Sequence, residues 1–283
     1  MNSSDYAFLS HMLMEKSGLA LGPGKEYLVE SRLTPLAQSY GLKGISQLVR
    51  HLQSGREPRL HALVVEAMTT NETLFFRDRT PFDDLQHIVL PELITRRAKV
   101  RRIRIWSAAV STGQEIYSVA MLLDRVFPHL RDWHVELLAS DISEAMLDRA
   151  RKGVYSDFEV QRGLSDDLRD RCFEQYDNQW RIKEHLRRRI TWLQLNLLDP
   201  FAHLGMWDVI LCRNVLIYFD LPTKRDILER MHQLLASDGC LLLGAAETVL
   251  GVSARYERYQ RCASAVYRPL RDQARMVSAA VFG

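Results

Sequence analysis

Residues 102–127 read RIRIWSAAVSTGQEIYSVAMLLDRVF, and their hydrophobic pattern changes once, at Gly113. Before this glycine, the alternating run around Ile103 and Ile105 is typical of a β-strand. After it, apolar residues recur at helical spacing, which predicts an amphipathic helix. A strand that passes directly into a helix is the repeating unit of a parallel sheet built from right-handed crossovers.

Later segments repeat this order. The strand-like runs are HVELLAS, WDVILCRNVL and GCLLLGA, and the helical runs SEAMLDRARKG and LPTKRDILERMHQLLAS follow the first two. We therefore predict an α/β domain with a parallel, Rossmann-like sheet over residues 78–270. Near its end, RYERYQRC and SAVYRPL are expected to form an antiparallel pair at the sheet edge, and residues 271–283 are expected to be a tail.

Two segments depart from the alternation. Residues 1–77 show helical periodicity with helix ends at Gly18, Gly41 and Gly55, which predicts an all-helical N-terminal domain. Residues 155–195 mix polar and aromatic residues and interrupt the strand–helix order. We predict a small inserted β-subdomain there, in which QWRIK and RRRITWLQL form a hairpin.

The composition is that of an ordinary globular protein. Of 283 residues, 47% are hydrophobic and 26% are charged, and the formal net charge is +3. Such weak basicity argues against a nucleic-acid partner, and no apolar run is long enough for membrane insertion. The four cysteines form no C-x-x-C pair and have no histidine at zinc spacing, which favours a reducing, cytoplasmic setting and no metal site.

The loops after the strands are the candidate binding site, because ligands of open parallel sheets bind at the carboxyl ends of the strands. The loop at 107–115 has small residues but no G-x-G-x-x-G fingerprint; alternatively, Gly113 only permits a tight turn and Thr112 caps the helix. Asp141 could accept ribose hydroxyls or open a capping box with Glu144. An acidic residue there without phosphate-binding glycines fits S-adenosylmethionine better than NAD.

Two further loops carry polar residues with open alternatives. Arg213 and Asn214 end an apolar run and must be paired, either in a buried network that ties strand to loop or in a binding site. Tyr218 is either a core residue with a satisfied hydroxyl or a residue that faces the reacting centre. Asn196 and Leu197, in NLLDP, belong either to a turn or to a contact near an adenine.

The run NETLFFRD begins at Asn71. Thr69 and Glu72 have the spacing of a capping box, and the two phenylalanines could belong to a core between the two domains. That interpretation does not require Asn71, Thr73 or Arg77. Three hydrogen-bonding side chains at a domain boundary also suit one wall of a cleft.

Together, NETLFFRD, WSAAVSTGQEIYS, ASDISEAMLDRARKGVYS, NLLDP and DVILCRNVLIYFD resemble the CheR chemotaxis receptor methyltransferases, and the resemblance covers roughly residues 5–268. It implies an all-helical domain joined to an S-adenosylmethionine-dependent methyltransferase domain with an inserted β-subdomain. It also implies methyl transfer to glutamate side chains of chemoreceptor cytoplasmic helices, which gives γ-glutamyl methyl esters and S-adenosylhomocysteine. The implied cofactor-binding residues are Asn71, Thr73, Arg77, Glu115, Asp141, Asn196, Leu197, Arg213 and Asn214. Arg77 and Tyr218 match the positions expected nearest the methyl-transfer centre.

The chain departs from the family pattern in three places. Where the family has GEEPYS, this chain has GQEIYS, which keeps Glu115. Where the family has a Gly-His-Ser-Glu turn, this chain has GAAE, from Gly244 to Glu247. The link EQYDNQWRIK is short and lacks a glycine-rich extension. It resembles the class that binds receptors without a C-terminal pentapeptide tether. Nothing in the sequence demands an oligomer, so a monomer is expected.

Two other functions stay open at this point: a methyltransferase of another substrate, and a non-catalytic adaptor that binds the cofactor or its product as a signal. Two basic clusters, within 96–104 and 181–189, are either solvated faces or surfaces that dock acidic receptor helices. A glutamate carboxylate is ionised at neutral pH, so its methylation requires no general base. We expect Arg77 to position the reacting groups.

Overall fold

The computed structural model describes residues 1–270, and the tail predicted for 271–283 lies outside these residues. Four helices come first: α1 (Ser3–Ser17), α2 (Glu26–Ser39), α3 (Ile45–Ser54) and α4 (Pro58–Met68). α1 and α3 end at glycines in the left-handed region, with φ of 72° at Gly18 and 64° at Gly55. Their apolar faces pack into a core of their own around Leu13 and Leu48. The all-helical N-terminal domain is therefore confirmed.

Within residues 1–270, ten strands follow and form two sheets. They are β1 (Arg102–Ala108), β2 (His134–Asp141), β3 (Val154–Tyr155), β4 (Phe173–Tyr176), β5 (Gln179–Ile182), β6 (Ile190–Gln194), β7 (Trp207–Cys212), β8 (Leu235–Leu243), β9 (Tyr256–Arg258) and β10 (Val266–Pro269). The main sheet has the order β6-β2-β1-β7-β8-β10-β9. Its first five strands are parallel, and β10 pairs antiparallel with β8 and β9, as predicted for the C-terminal segments.

The helices that follow the N-terminal domain pack against the main sheet and the smaller sheet. They are α5 (Thr80–Asp84) and α6 (Leu90–Arg97), joined by a π-helical turn (Leu85–Val89), α7 (Gln114–Val126), α8 (Glu144–Lys152), α9 (Asp157–Gln161), α10 (Asp166–Cys172), α11 (Glu184–Arg187) and α12 (Leu221–Leu234). Along β1, Ile103 and Ile105 point into one core and Trp106 into the other, as the period of two requires. Within residues 1–270, no helix has the length and apolarity needed to cross a membrane.

The inserted segment forms a three-stranded sheet of order β3-β5-β4, but its hairpin differs from the predicted one. QWRIK forms β5 and pairs with β4. The two-residue connection is Asp177 and Asn178, whose φ angles are 44° and 57°. Asp and Asn tolerate this left-handed conformation, which tight hairpin turns favour. RRRITWLQL instead contributes β6, which runs parallel to β2 at the edge of the main sheet, so the predicted pairing was wrong.

The run from Asn71 to Asp78 is a loop and turn, and the helix that follows begins only at Thr80. The capping-box interpretation is therefore wrong. Phe75 is fully buried, with its ring edge-on to Tyr155 at 5.0 Å and to Phe173 at 5.5 Å. Phe75 therefore packs the loop against the inserted subdomain and does not belong to the core of the N-terminal helices.

Candidate active site

A cleft of about 990 Å³, measured with its mouth, opens at the carboxyl ends of β1, β2, β6 and β7. It is lined by all ten residues that the family resemblance implies: Asn71, Thr73, Arg77, Glu115, Asp141, Asn196, Leu197, Arg213, Asn214 and Tyr218. Helix α1 contributes Ser17, and the connection between α1 and α2 contributes Leu19. The site is therefore built at the edge of the sheet where ligands of this architecture bind, with the helical domain as a further wall.

Asp141 ends β2 and holds the loop after β1. Its carboxylate oxygens accept the backbone N–H of Ser111 at 2.7 Å and of Ser143 at 2.9 Å. Burial raises the pKa of Asp141 above its ordinary value, although these hydrogen bonds act in the opposite direction. The residue that caps α8 is Ser143, so the alternative capping box with Glu144 is wrong.

The loop after β1 has an unusual backbone. Ala109, Ser111 and Gly113 all have left-handed φ angles, of 58°, 52° and 90°. A Cβ on Gly113 would lie 2.9 Å from a side-chain carbon of α8, so glycine is required there by both conformation and packing. No side chain caps α7, so the capping role considered for Thr112 was wrong. The hydroxyl of Ser111 donates to the carbonyl of Asn71 at 2.9 Å and joins two walls of the cleft.

Arg213 is the centre of a buried ionic network, as one of its two interpretations proposed. Its guanidinium donates to Glu115 at 2.8 Å, to Asp78 at 2.8 Å and to the carbonyl of Arg77 at 2.9 Å. The other Glu115 oxygen accepts from the hydroxyl of Ser107 at 2.7 Å. The network ties the ends of β1 and β7 to the turn at residues 75–79, hereafter the Arg77 turn, and also lines the cleft.

Arg77 itself is a free cation in this cleft. Its guanidinium donates to the carbonyl of Glu72 at 2.9 Å, and it has no carboxylate partner within residues 1–270. The hydroxyl of Tyr218 and the side chains of Asn71 and Thr73 also lack hydrogen-bond partners within the described chain. The cleft therefore offers one unpaired positive charge and several unused polar groups to a ligand.

Glu247 supports the cleft without lining it, and the sequence did not indicate this role. Its buried carboxylate accepts the backbone N–H groups of Gly244 at 2.7 Å, Asn214 at 2.8 Å, Val215 at 2.9 Å and Ile217 at 3.3 Å. It thereby fixes the loop that carries Asn214, whose φ is 59°. The sequence feature that could have indicated this role is the glutamate retained at the end of GAAE. The two alanines that replace the family's His and Ser are exposed.

Asn196 forms a turn, as one of its two interpretations proposed, and also contacts the N-terminal helices. Its side-chain oxygen accepts from the backbone of Leu198 at 3.0 Å, which shapes a turn. Its side-chain amide donates to the carbonyl of Lys16 at 2.7 Å. A second contact with the N-terminal segment is the N–H of Ala20 on the carbonyl of Tyr218, at 3.0 Å. The helical domain is therefore hydrogen-bonded to two loops of the cleft.

Comparison with known proteins identifies the family. Residues 71–264 match the model of the CheR methyltransferase SAM-binding domain, and residues 4–69 match that of the CheR methyltransferase all-alpha domain. The chain belongs to the CheR methyltransferase family. Its cofactor is S-adenosylmethionine, and its fold class, a methyltransferase domain with a mostly parallel sheet behind an all-helical domain, is confirmed.

This CheR methyltransferase is similar to curated proteins along almost its whole length. It is 41% identical to chemotaxis protein methyltransferase 1 of Pseudomonas aeruginosa, over 94% of this chain and 98% of that protein. It is 40% identical to the chemotaxis protein methyltransferase of Vibrio parahaemolyticus, over 94% and 97%. With that of Borreliella burgdorferi, the identity is 34% over 83% and 84%.

The polar groups that line the CheR cleft fit S-adenosylmethionine. This cofactor presents an amine, a carboxylate, ribose hydroxyls and an adenine. The cleft contains the carboxylates of Glu115 and Asp141, the guanidinium of Arg77, and side-chain amides. Each carboxylate oxygen of Glu115 accepts one protein hydrogen bond and keeps a second acceptor position. Tyr218 and Phe219 add aromatic surface, so the lining has a chemical counterpart for each part of the cofactor.

Proposed function

We propose that this CheR methyltransferase is a protein-glutamate O-methyltransferase. It transfers a methyl group from S-adenosylmethionine to glutamate side chains of chemoreceptor cytoplasmic helices, giving γ-glutamyl methyl esters for sensory adaptation. The observation that carries the proposal is the unpaired guanidinium of Arg77, which lines the same cleft as Tyr218, whose hydroxyl is also free. A cation without an internal partner, in a cleft of this family, suits a substrate that arrives as a carboxylate.

The cofactor would be held by nine residues in this proposal: Asn71, Thr73, Arg77, Glu115, Asp141, Asn196, Leu197, Arg213 and Asn214. Asp141 would accept the ribose hydroxyls, because it is the acidic residue at the end of β2. Glu115 is a suitable acceptor for the amine. Asn196 and Leu197 would lie near the adenine. Arg213 would act chiefly by holding Glu115, since its charge is already engaged.

The residues near the reacting atoms would act by positioning. When bound, the cofactor supplies a methyl group on a positively charged sulfur, which leaves as S-adenosylhomocysteine. The glutamate carboxylate has an ordinary pKa of ~4.3 and reacts without a general base. Holding the two reactants in line could contribute several kcal/mol, up to ~7–11 kcal/mol in ideal cases.

Arg77 and Tyr218 are the residues that we assign to this task. Arg77 would orient the carboxylate through charge-assisted hydrogen bonds. The interaction between Arg77 and the substrate carboxylate must stay moderate. The carboxylate loses charge as the ester forms, so a strong interaction would stabilise the ground state more than the transition state. Tyr218 can donate its hydroxyl hydrogen to the non-reacting carboxylate oxygen, because no group within residues 1–270 occupies it.

We further propose that receptor binding does not require a C-terminal pentapeptide. The support is the connection between β4 and β5, which consists only of Asp177 and Asn178. This turn leaves no long loop on the inserted subdomain to hold a tether. We also propose that the protein acts in the cytoplasm and as a monomer.

The proposal is tested by incubating the full chain with radiolabelled S-adenosylmethionine and a purified chemoreceptor cytoplasmic fragment. We expect label on glutamate that mild base releases as methanol, because esters hydrolyse and N-methyl groups do not. Arg77→Ala should bind S-adenosylhomocysteine and transfer methyl groups at least ~100-fold more slowly, the scale expected when a reactant is misplaced by about 1 Å. Base-stable label, or an Arg77→Ala rate equal to that of the wild type, would refute the proposal.

A further inference from the structure

A second groove lies on the other side of the Arg77 turn. Its volume is about 650 Å³, and it runs between α5, α7 and the start of α10. Its apolar surface includes Phe76, Met121 and Leu168, and two arginines, Arg79 and Arg125, line it as well. Both arginines are exposed. The groove therefore combines an apolar surface with accessible positive charge.

The turn that separates the groove from the cleft has a costly backbone. Phe76, Asp78 and Arg79 have φ angles of 49°, 69° and 48°. At Arg79 the backbone makes a tight γ-turn, in which the N–H of Thr80 donates to the carbonyl of Asp78 at 2.5 Å. Such conformations are unfavourable for residues other than glycine and cluster at functional sites. Here they leave Arg77 in the cleft and Arg79 in the groove.

The wall formed by the inserted subdomain is held rigidly beside this turn. Gly163 lines the groove with φ of 103°, and a Cβ on it would fall 1.9 Å from the carbonyl oxygen of Phe75. No other residue could bring the two backbones so close. The inserted subdomain therefore packs directly against the segment that leads into the Arg77 turn.

Arg79 and Arg125 make no hydrogen bond or ion pair through their side chains within residues 1–270. The basic cluster before and in β1 differs, because Arg97 bridges Asp208 and Asp238 at 2.7 Å and Arg104 contacts Glu136 at 2.6 Å. That cluster also lies at the opposite end of the sheet from the cleft.

The groove therefore presents two arginines whose charge has no partner within residues 1–270. Asp83 also lines it, so two arginines and one aspartate leave a charge of +1. An acidic partner with an apolar side chain is complementary to this combination.

We propose that this groove is a docking site for the glutamate-bearing helix of the receptor. It would take an acidic side chain on Arg79 and Arg125, and an apolar one on Phe76, while a neighbouring glutamate enters the cleft at Arg77. The inference rests on the proposed function and names the residues that select its substrate.

The geometry allows one helix to reach both places. The Cα atoms of Arg77 and Arg79 are at most ~7 Å apart, because two residues span no more than this when extended. One helical turn rises ~5.4 Å, so acidic residues one or two turns apart on the same face can meet the two arginines. The groove would therefore favour glutamates that have a second acidic residue at that spacing.

The test compares Arg79→Ala and Arg125→Glu with Lys99→Ala. Lys99 lies just before β1, at the opposite end of the sheet from the cleft. Methyl transfer to a chemoreceptor cytoplasmic fragment gives KM and kcat, and calorimetry gives the affinities for the fragment and for S-adenosylhomocysteine. We expect both groove variants to raise KM and the fragment Kd at least ~5-fold, with kcat and cofactor affinity unchanged. Lys99→Ala should match the wild type. Melting temperatures establish that each variant is folded.

Each result has one meaning. If KM and the fragment Kd of both groove variants stay within twofold of the wild type, the docking proposal is overturned. An equal effect of Lys99→Ala would show a general loss of charge attraction and would overturn it too. A wild type that binds the fragment without methylating it refutes the proposed function, while the fragment affinities still test the groove. A wild type that neither binds nor methylates refutes both.

Discussion

The carboxylate of Glu247 accepts the backbone N–H of Asn214 at 2.8 Å across 33 positions of sequence. Oxygen Oε2 also binds the N–H of Gly244, and Oε1 binds those of Val215 and Ile217. One side chain thereby satisfies four backbone donors where β7 and β8 end. Because Asn214 and Tyr218 lie on the loop held in this way, Glu247 shapes the cleft without standing among the residues that the family resemblance implied.

We predict that Glu247→Gln weakens both the fold and cofactor binding. An amide keeps one acceptor oxygen and places an NH₂ group against two N–H donors, and each buried unsatisfied group costs about 1–3 kcal/mol. We expect a loss of ~3 kcal/mol in the free energy of unfolding and at least tenfold in affinity for S-adenosylhomocysteine. Urea denaturation and calorimetry measure these, with Glu257→Gln, an exposed site on β9, as the matched control. Equal values for the two variants would contradict the assignment.

Arg213 and Arg77 should respond differently to the same substitution. Arg213→Ala leaves Glu115 and Asp78 without their cation, and removing one partner of a buried pair costs about 3–5 kcal/mol. Arg77→Ala removes one hydrogen bond to a carbonyl, so its unfolding free energy should change by less than ~1 kcal/mol. Urea denaturation of both variants provides the comparison. A stability loss of equal size would show that Arg77 is structural and not free for substrate.

Local patterns in the sequence were sufficient to predict the alternating core. Each strand and helix from β1 to α8 carries its own periodicity, and the loops at the strand ends follow from parallel topology. The same reasoning placed Asp141 and Arg213 at one edge of the sheet. The family resemblance, and not periodicity, assigned their functional roles.

Two features depended on contacts that local patterns do not record. The segment that forms β6 was predicted to pair with QWRIK because the two are close in sequence. In the structure it instead forms a longer, parallel pairing with β2. The real turn at Asp177 and Asn178 was readable, because both residues tolerate left-handed φ. Glu247 could not be assigned before the loops after β7 and β8 were brought together, since its partners are up to 33 positions away.

Tyr218→Phe should separate catalysis from folding. The Tyr218 hydroxyl has no partner within residues 1–270, so removing it should leave the melting temperature and the S-adenosylhomocysteine affinity unchanged. If it donates to the substrate carboxylate, kcat should fall about tenfold, equivalent to ~1.4 kcal/mol. Single-turnover methyl transfer is the measurement, and Tyr27→Phe, at an exposed site on α2, is the control. An unchanged rate would remove the hydroxyl from the reaction.

Cofactor affinity should weaken in mild acid because of Asp141. Burial raises the pKa of this carboxyl above its ordinary value of 3.8, so it takes up a proton at a higher pH than an exposed aspartate. The ionised form accepts hydroxyl hydrogens better, and the affinity for S-adenosylhomocysteine should therefore fall as the pH falls towards the raised pKa of Asp141. The same upward shift means that protonation favours the folded state, since stability from this group is greatest below the unfolded pKa and declines as the pH rises through the folded pKa. The loss of affinity should consequently appear without a loss of melting temperature attributable to Asp141.

Calorimetry between neutral and mildly acidic pH tests this prediction by comparing the wild type with Asp141→Asn, which should bind S-adenosylhomocysteine more weakly and with a flatter pH dependence. Parallel curves for the two proteins would assign the pH effect to another group.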